Sequence, residues 1–368
     1  MGVSFMGCRF VALFMGAALL ASTAFAQGKI LNIYNWSDYI APETLKKFEA
    51  ETGIKVRYDV YDNNEILEAK LIAGKTGYDL VAPTMAPFGA RQIALGLYQP
   101  LQKDKLPNYG NLSPKIQDML AVYDTGNAYT LPWMWGTLGV GYNVDKVKAA
   151  MPDAPTDSLR MVFDPAVVSR LKGCGVGMLD SATDILPLAM HYAGVDPNST
   201  NPADLQKGVD VVTAVRPFIR KFHSSSYINE LANGEMCVVL GFSGDIMQSK
   251  SRAAESNKGV NVNYSLPKEG TQVWVDVLAI PKDAQNVENA HTFLNYILRP
   301  EVIAANTNKI GYANGNEKAT PLVEEAIRTD QQIYPTPEVM AKLFSLKTTT
   351  AAFDRQRTRA WQRILSGK

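Results

Sequence analysis

Histidine and cysteine are scarce in this 368-residue sequence, which holds three of each. His191 and His291 fall in helical patterns with apolar neighbours, the usual setting of a structural histidine, so a nucleophile and base pair has few candidates. There is no H-E-x-x-H, no P-loop and no G-x-G-x-x-G after a strand. The stretch Gly241-Phe242-Ser243-Gly244-Asp245 approaches a nucleophile elbow, but the last glycine of G-x-S-x-G is Asp245 here and the match fails. Ser243 with a distant histidine is all that a hydrolase on an α/β scaffold would have. Metal-ligand spacing is absent too, so no metal and no cofactor are expected. An excess of one charge is also missing, with 37 basic residues against 36 acidic. Such balance argues against a nucleic-acid partner and against long-range steering of a charged ligand, which local groups must then meet. Long apolar runs are limited to Phe10 to Leu20, roughly half of the ~20 residues a membrane-spanning helix needs.

The flanks of that run explain it. Arg9 precedes it and the small residues Ala21-Ser22-Thr23-Ala24-Phe25-Ala26 follow, the layout of a secretory signal peptide at residues 1–26 with cleavage after Ala26. Cys8 lies before the apolar run and not after it, the wrong side for lipid attachment. Cleavage would remove Arg9 and no acid, so the chain from Gln27 would carry equal numbers of acids and bases. Its length suggests two domains. Cys174 and Cys237 would be the remaining cysteines. Export favours one bridge between them, which would stabilise the fold by roughly 4 kcal/mol on the chain-entropy model; two free buried thiols are the alternative.

Strands alternate with helices along the chain, so an α/β fold is expected with binding loops at strand ends. Ile30 to Asn35 alternates as a strand and ends at the polar turn Trp36-Ser37-Asp38-Tyr39. Pro42 opens a helix that Gly53 closes. Ile54 to Tyr61 reads as a strand, Glu65 to Ala73 as a helix, and Tyr78 to Ala82 as a short strand running into Pro83. Tyr129 to Tyr142, interrupted by Pro132, Gly136, Gly139 and Gly141, suits an extended crossing between two lobes. Further on, strands are predicted at Val176–Leu179, Cys237–Leu240 and Val273–Ile280, and helices at Ile185–Ala193, Val209–Phe222 and Val287–Leu298. The tail beyond reads as helical and polar.

What recurs is an acid beside large aromatics at or near a strand end. Trp36, Asp38 and Tyr39 follow the first strand, Phe242 and Asp245 follow the strand at Cys237, and Trp274 lies with Asp276. A cationic amine with a methylene body asks for that lining, because carboxylates take the ammonium while aromatic faces cover the body and attract the charge. Each carboxylate bond to a charged amine is worth roughly 1.5 to 3 kcal/mol, and an aromatic face adds about 0.5 to 2 kcal/mol. Two ends held in this way reach about −8 kcal/mol, or micromolar affinity. Taken singly, each acid reads as a turn former or helix cap and Trp36 as core.

Asn32-Ile33-Tyr34-Asn35-Trp36-Ser37-Asp38-Tyr39-Ile40-Ala41-Pro42, followed by Glu51-Thr52-Gly53-Ile54-Lys55-Val56, resembles the periplasmic polyamine-binding proteins of ABC importers, especially their putrescine-binding branch. Gly141-Tyr142-Asn143-Val144-Asp145-Lys146-Val147, Phe222-His223-Ser224-Ser225, Tyr227-Ile228-Asn229-Glu230-Leu231-Ala232-Asn233-Gly234 and Thr320-Pro321-Leu322-Val323 extend the likeness along the chain.

That resemblance implies a two-lobe periplasmic binding protein (type II) fold, closing on ligand about a hinge and docking on a membrane permease. It places 27–134 plus 272–314 in one lobe and 135–271 plus 315–368 in the other. By position it assigns Trp36 and Tyr39 to an aromatic box, Ser37 and Asp38 to an amine, and Thr84 to a serine position. It further assigns Asp245 to an amine, with Asp276, Trp274 and Tyr312 completing the site, and it matches a bridge between Cys174 and Cys237. A periplasmic monomer is expected, neither enzyme nor nucleic-acid binder; a sensor that docks on a receptor would look the same in sequence. Departures bear on ligand length: Phe242 stands at a tryptophan position, Trp274 at a phenylalanine position, and Asp184 at a glutamate position. The shorter Asp184 and the exchanged rings favour spermidine over putrescine.

Overall fold

A computed structural model describes residues 1–3 and 29–367, so the signal peptide expected at 1–26 lies almost wholly outside the described residues. Ten strands run in chain order: β1 Ile30–Trp36, β2 Lys55–Tyr61, β3 Leu80–Val81, β4 Thr130–Asn143, β5 Val176–Met178, β6 Lys221–Phe222, β7 Val238–Phe242, β8 Val262–Ser265, β9 Val273–Ala279 and β10 Ala313–Asn314. They join in the order β2-β1-β3-β9-β4-β7-β5-β6, with β8 and β10 also pairing with β4. β1 is parallel to β2 and β3, and β5 is parallel to β6 and β7. The inner parallel strands are buried, as such strands require, while the edge strand β2 keeps several residues exposed.

β4 is the strand that both halves share. Its first part pairs antiparallel with β9 and its second part with β7 and β8. Pro132 has no N–H for the ladder, and the register shifts between Pro132 and Trp135. The glycines read as interruptions instead sit inside the strand, where the rings of Trp274 and Tyr264 occupy the space that Cβ atoms at Gly136 and Gly139 would need.

Two hydrophobic cores flank this shared strand. One gathers Phe48, Trp133, Phe293, Leu294 and Ile303. The other gathers Phe163, Leu186, Val238, Tyr264 and Trp361. Phe242 packs against both. Cys174 and Cys237 are bonded, with Cα atoms 5.5 Å apart, at the starts of β5 and β7. Among the described residues no helix is long and apolar enough to cross a membrane.

Helix limits correct the sequence reading where caps were overlooked. The helix expected at 185–193 is Ala182–Tyr192, because the Ser181 side chain accepts the Asp184 N–H and starts the helix three residues early. The helix expected at 209–222 is Pro202–Val215, opened by the Asn201 cap and Pro202. A 3-10 turn at Arg216–Phe218 ends it, and Lys221–Phe222 becomes β6. The tail is helical at Pro300–Ile310 and Ala351–Ser366, with β10 and short helical turns between, and the last helix buries Phe353, Arg357, Ala360, Trp361 and Ile364.

Candidate functional site

The carboxyl ends of β1, β2 and β7 and the inner face of β9 converge on one cleft between the two cores. Its lining includes Trp36, Ser37, Tyr39, Thr84, Asp184, Phe242, Asp245, Trp274, Asp276 and Tyr312. Every residue proposed from sequence is there except Asp38. That residue has a left-handed backbone (φ 53°) and is exposed. Its carboxylate pairs with Arg252 at 2.5 Å, and its carbonyl accepts from Gln248 Nε2 at 3.1 Å, so it joins the two sides at the surface.

Aromatic rings form one continuous wall. Trp36 meets Phe242 at 6.2 Å, Phe242 meets Trp274 at 5.7 Å, Trp274 meets Tyr312 at 5.5 Å, and Tyr312 meets Tyr39 at 5.0 Å between centroids. Edge-on and tilted contacts of this kind hold rings rigidly. Trp36 is anchored further by its indole N–H, which donates to the Ala82 carbonyl at 2.8 Å.

The acids come from opposite sides. Asp276 lies on β9 two residues after Trp274, so both face the cleft. An isolated antiparallel bridge sets Thr84 beside it, and the Thr84 hydroxyl donates to its Oδ1 at 2.6 Å. Asp245 is in the first turn of the helix Ser243–Ser256. It accepts from the Tyr227 and Tyr312 hydroxyls, each at 2.6 Å. Burial pushes both carboxyls up to about 7, outweighing the hydroxyl donors that pull them down. The Tyr39 hydroxyl lies near enough to Asp276 for the two to influence each other, yet it makes no hydrogen bond of good geometry. Asp184 keeps partial exposure, accepts from Gln272 Nε2 at 3.0 Å, and has its carboxyl raised chiefly by desolvation.

Among the described residues four acids therefore line the cleft, namely Asp62, Asp184, Asp245 and Asp276, and no lysine or arginine does. Buried carboxylates without a protein counter-ion are costly. They suit a ligand that brings its own positive charge.

Tyr61, Asp62, Asn64, Ser224 and Ser225 also line the cleft and were not singled out from sequence. Tyr61 and Asp62 repeat the pattern of an aromatic and an acid at a strand end, so the rule applied to the first strand would have found them at the second. Ser224 and Ser225 stand in one of the segments that carry the family resemblance, but that resemblance assigned them no part in the site. The Ser37 hydroxyl donates to Asp62 at 3.3 Å.

A hydrolytic site is not assembled. Ser243 Oγ accepts from the Thr137 backbone N–H at 3.3 Å. His191 bonds the Glu269 carbonyl, His223 Nδ1 accepts two backbone N–H groups, and His291 Nε2 accepts the Gln102 N–H. Among the described residues each of the three is committed to backbone groups, and none bonds Ser243. The glycines of the failed elbow serve packing instead. A Cβ at Gly241 would lie 2.8 Å from the Tyr227 ring, and one at Gly244 would overlap the Tyr312 ring.

Comparison with known proteins shows the family to which the chain belongs. Residues 43–335 match the family described as bacterial extracellular solute-binding protein. The putrescine-binding periplasmic protein SpuD of Pseudomonas aeruginosa (strain UCBPP-PA14) is 51% identical over 363 residues, 98% of this chain and 99% of that protein. The putrescine-binding periplasmic protein PotF of Escherichia coli (strain K12) is 50% identical over 353 residues, 95% of each. Among solved structures, a putative spermidine/putrescine ABC transporter from Listeria monocytogenes superposes with a TM-score of 0.82 at 32% identity, covering 92% of this chain and 100% of that one.

Proposed function

The chain belongs to the bacterial extracellular solute-binding protein family, a periplasmic binding protein and not an enzyme, and from that premise we propose that it captures a linear polyamine and delivers it to an ABC permease. The observation that carries this reading is the pair of buried acids, Asp245 and Asp276, set on opposite sides of an aromatic wall in a cleft without a basic residue. One ammonium would meet each acid. The methylene body would lie against Trp36, Phe242 and Trp274, whose faces attract the charge as well as covering the chain. Capture needs no covalent step; closure of the two halves and release to the permease complete the cycle.

For ligand length, the reading favours spermidine. A diamine uses two carboxylates, whereas the lining offers four, with Asp62 and Asp184 beyond the central pair. A third ammonium has a partner there. Trp274, at a position where the resemblance implies phenylalanine, adds apolar area for a longer methylene body. The relatives SpuD and PotF are named for putrescine, and their names weigh toward the shorter ligand. Calorimetry on refolded, ligand-stripped protein decides: spermidine binding more tightly than putrescine is expected, the reverse order replaces it with putrescine, and no heat with any polyamine removes the reading.

The lobes proposed are 27–134 plus 272–314 and 135–271 plus 315–368, acting as a monomer. The two cores support these limits except around the last boundary, where Ala313 packs with the second core and Ala319 and Val323 with the first. Asp38 then acts at the cleft mouth through Arg252.

A further inference from the structure

We propose that Asn64 and Tyr227 are positioning residues: Asn64 fixes the direction of the Thr84 hydroxyl, and Tyr227 supplies a hydroxyl fixed by the Phe242 N–H, so that each hydroxyl can only donate to a ligand-binding carboxylate. This rests on the polyamine reading of the same cleft and explains how the cleft keeps its acids ready for a cation.

A hydroxyl can donate one hydrogen, and its oxygen can accept from others. Which way it points is set by what its oxygen already accepts. At Asp276 the hydroxyl is that of Thr84. Asn64 grips Thr84 twice: its side-chain carbonyl accepts the Thr84 N–H at 3.0 Å, and its Nδ2 donates to Thr84 Oγ1 at 2.9 Å. With its oxygen holding a donated hydrogen, Thr84 turns its own hydrogen to Asp276 at 2.6 Å. Asn64 lines the cleft, yet both its polar ends are committed to Thr84.

The same arrangement recurs at Asp245 on the other side. The Phe242 backbone N–H donates to the Tyr227 hydroxyl oxygen at 3.1 Å, and that hydroxyl donates to Asp245 Oδ2 at 2.6 Å. The Asp245 N–H donates to the Tyr312 oxygen at 3.1 Å, and Tyr312 donates to Oδ1 at 2.6 Å. Tyr227 is buried at 2% exposure and does not line the cleft. It reaches the ligand only through Asp245.

Three relays of one form, at the two central acids, have one consequence. Donated hydroxyls favour the ionised carboxylate over the protonated one. A protonated carboxyl would have to turn its hydrogen toward a hydroxyl already aimed at it, or into the cleft against an ammonium. Polarised relays thus hold each acid as an acceptor and give a cation the advantage over a neutral ligand of the same shape. Other charged groups act at the same acids. Asp38 and Arg252 oppose each other at Asp245, while Asp184 and Asp245 both act on Asp276.

The experiment compares Tyr227→Phe and Asn64→Ala with the wild type, measuring spermidine and putrescine affinity by calorimetry from pH 6 to pH 9, with thermal unfolding alongside. Removing a relay favours the proton at its acid without changing how the ionised acid meets ammonium. Each variant is therefore expected to bind about tenfold more weakly near pH 6 and close to wild type near pH 9, the acid-side loss of affinity beginning about one pH unit higher. A loss of one constant factor at every pH, or no loss, would overturn the proposal, since a packing defect does not move a pH midpoint. If one variant does not fold, the other decides. Wild-type protein showing no heat with either polyamine would instead sink the polyamine reading itself, whereas wild-type binding with unshifted variant profiles sinks only the relays.

Discussion

Asp245 and Asp276 each choose between a proton and an ammonium. Both carboxyls are pushed from 3.8 to about 7, first of all by burial. A carboxyl raised in the folded state favours folding at low pH, and that contribution is lost as pH climbs through the raised value. Ligand-free protein is thus expected to gain thermal stability from these two groups as pH falls from 8 toward 5. Polyamine affinity moves the other way, because each acid must be ionised to bind. From pH 8 to pH 6 the affinity is expected to fall by about ten- to a hundredfold, and calorimetry in buffers of different ionisation enthalpy should show protons released on binding. Affinity independent of pH across that range would mean that neither acid meets the ligand. At this scale the sequence carried much of the site, since an acid beside aromatics at a strand end selects Trp36, Asp245, Trp274 and Asp276. It could not separate Asp38 from them, because only the turn of the backbone at φ 53° and the partner at Arg252 decide where that side chain goes. Nor could it find Asn64, whose role depends on Thr84 lying beside it across 20 positions of chain.

The loop after β1 and the helix Ser243–Ser256 meet through Asp38, Gln248 and Arg252. Both partners of the ion pair keep substantial exposure, 32% and 41% of their side chains, so its worth is about 0–1 kcal/mol after screening. Asp38→Ala and Arg252→Ala should each weaken polyamine binding by only a few fold, and the double variant no further. A much larger effect of Asp38→Ala alone would instead make Asp38 a direct ligand of the amine. The start of the same helix supports a second prediction. Gly244→Ala drives a methyl into the Tyr312 ring, and overpacking of that kind costs about 1–3 kcal/mol. Because Tyr312 holds Asp245, the expected result is weakened binding together with a lowered melting temperature; normal binding would show that Tyr312 can move without loss. Elements with strong local signals were legible, such as the helix from Pro42 to a left-handed cap at Gly53 (φ 68°). Those defined by capping were displaced, as at Ser181 and Asn201. The Gly-Phe-Ser-Gly-Asp stretch was legible as special but not for its reason, since the rings that need its glycines come from positions 227 and 312.

Across the whole molecule, the two cores share β4 and then meet again through side chains from distant parts of the chain. Thr183 donates to Glu65 at 2.7 Å. On the last helix, Asp354 accepts Arg91 Nη1 at 2.8 Å while Arg91 grips Glu68 with its Nε and Nη2 at 2.8 and 2.7 Å. The three side chains retain 16–20% exposure, so this fork is screened less than the pair at Asp38. Arg91 belongs to the helix Ala90–Ala94, and Asp354 to the helix Ala351–Ser366 that packs on the second core. A guanidinium that spans both should favour the closed arrangement, and a lysine at that position cannot bridge two carboxylates with the same planar fork. Arg91→Lys is expected to retain the charge and the pairing with Glu68 while loosening Asp354. If closure is an equilibrium, the apparent affinity falls in proportion to the closed-competent fraction. The variant should therefore show a larger ligand-free radius of gyration by X-ray scattering and a several-fold weaker polyamine affinity, with a saturating ligand restoring the wild-type radius. An unchanged radius together with unchanged affinity would leave Arg91 a stabilising contact with no share in closure. Sequence alone offered nothing here, since Glu68, Arg91 and Asp354 are ordinary surface-type residues until the return of the chain at its far end brings the third beside the first two.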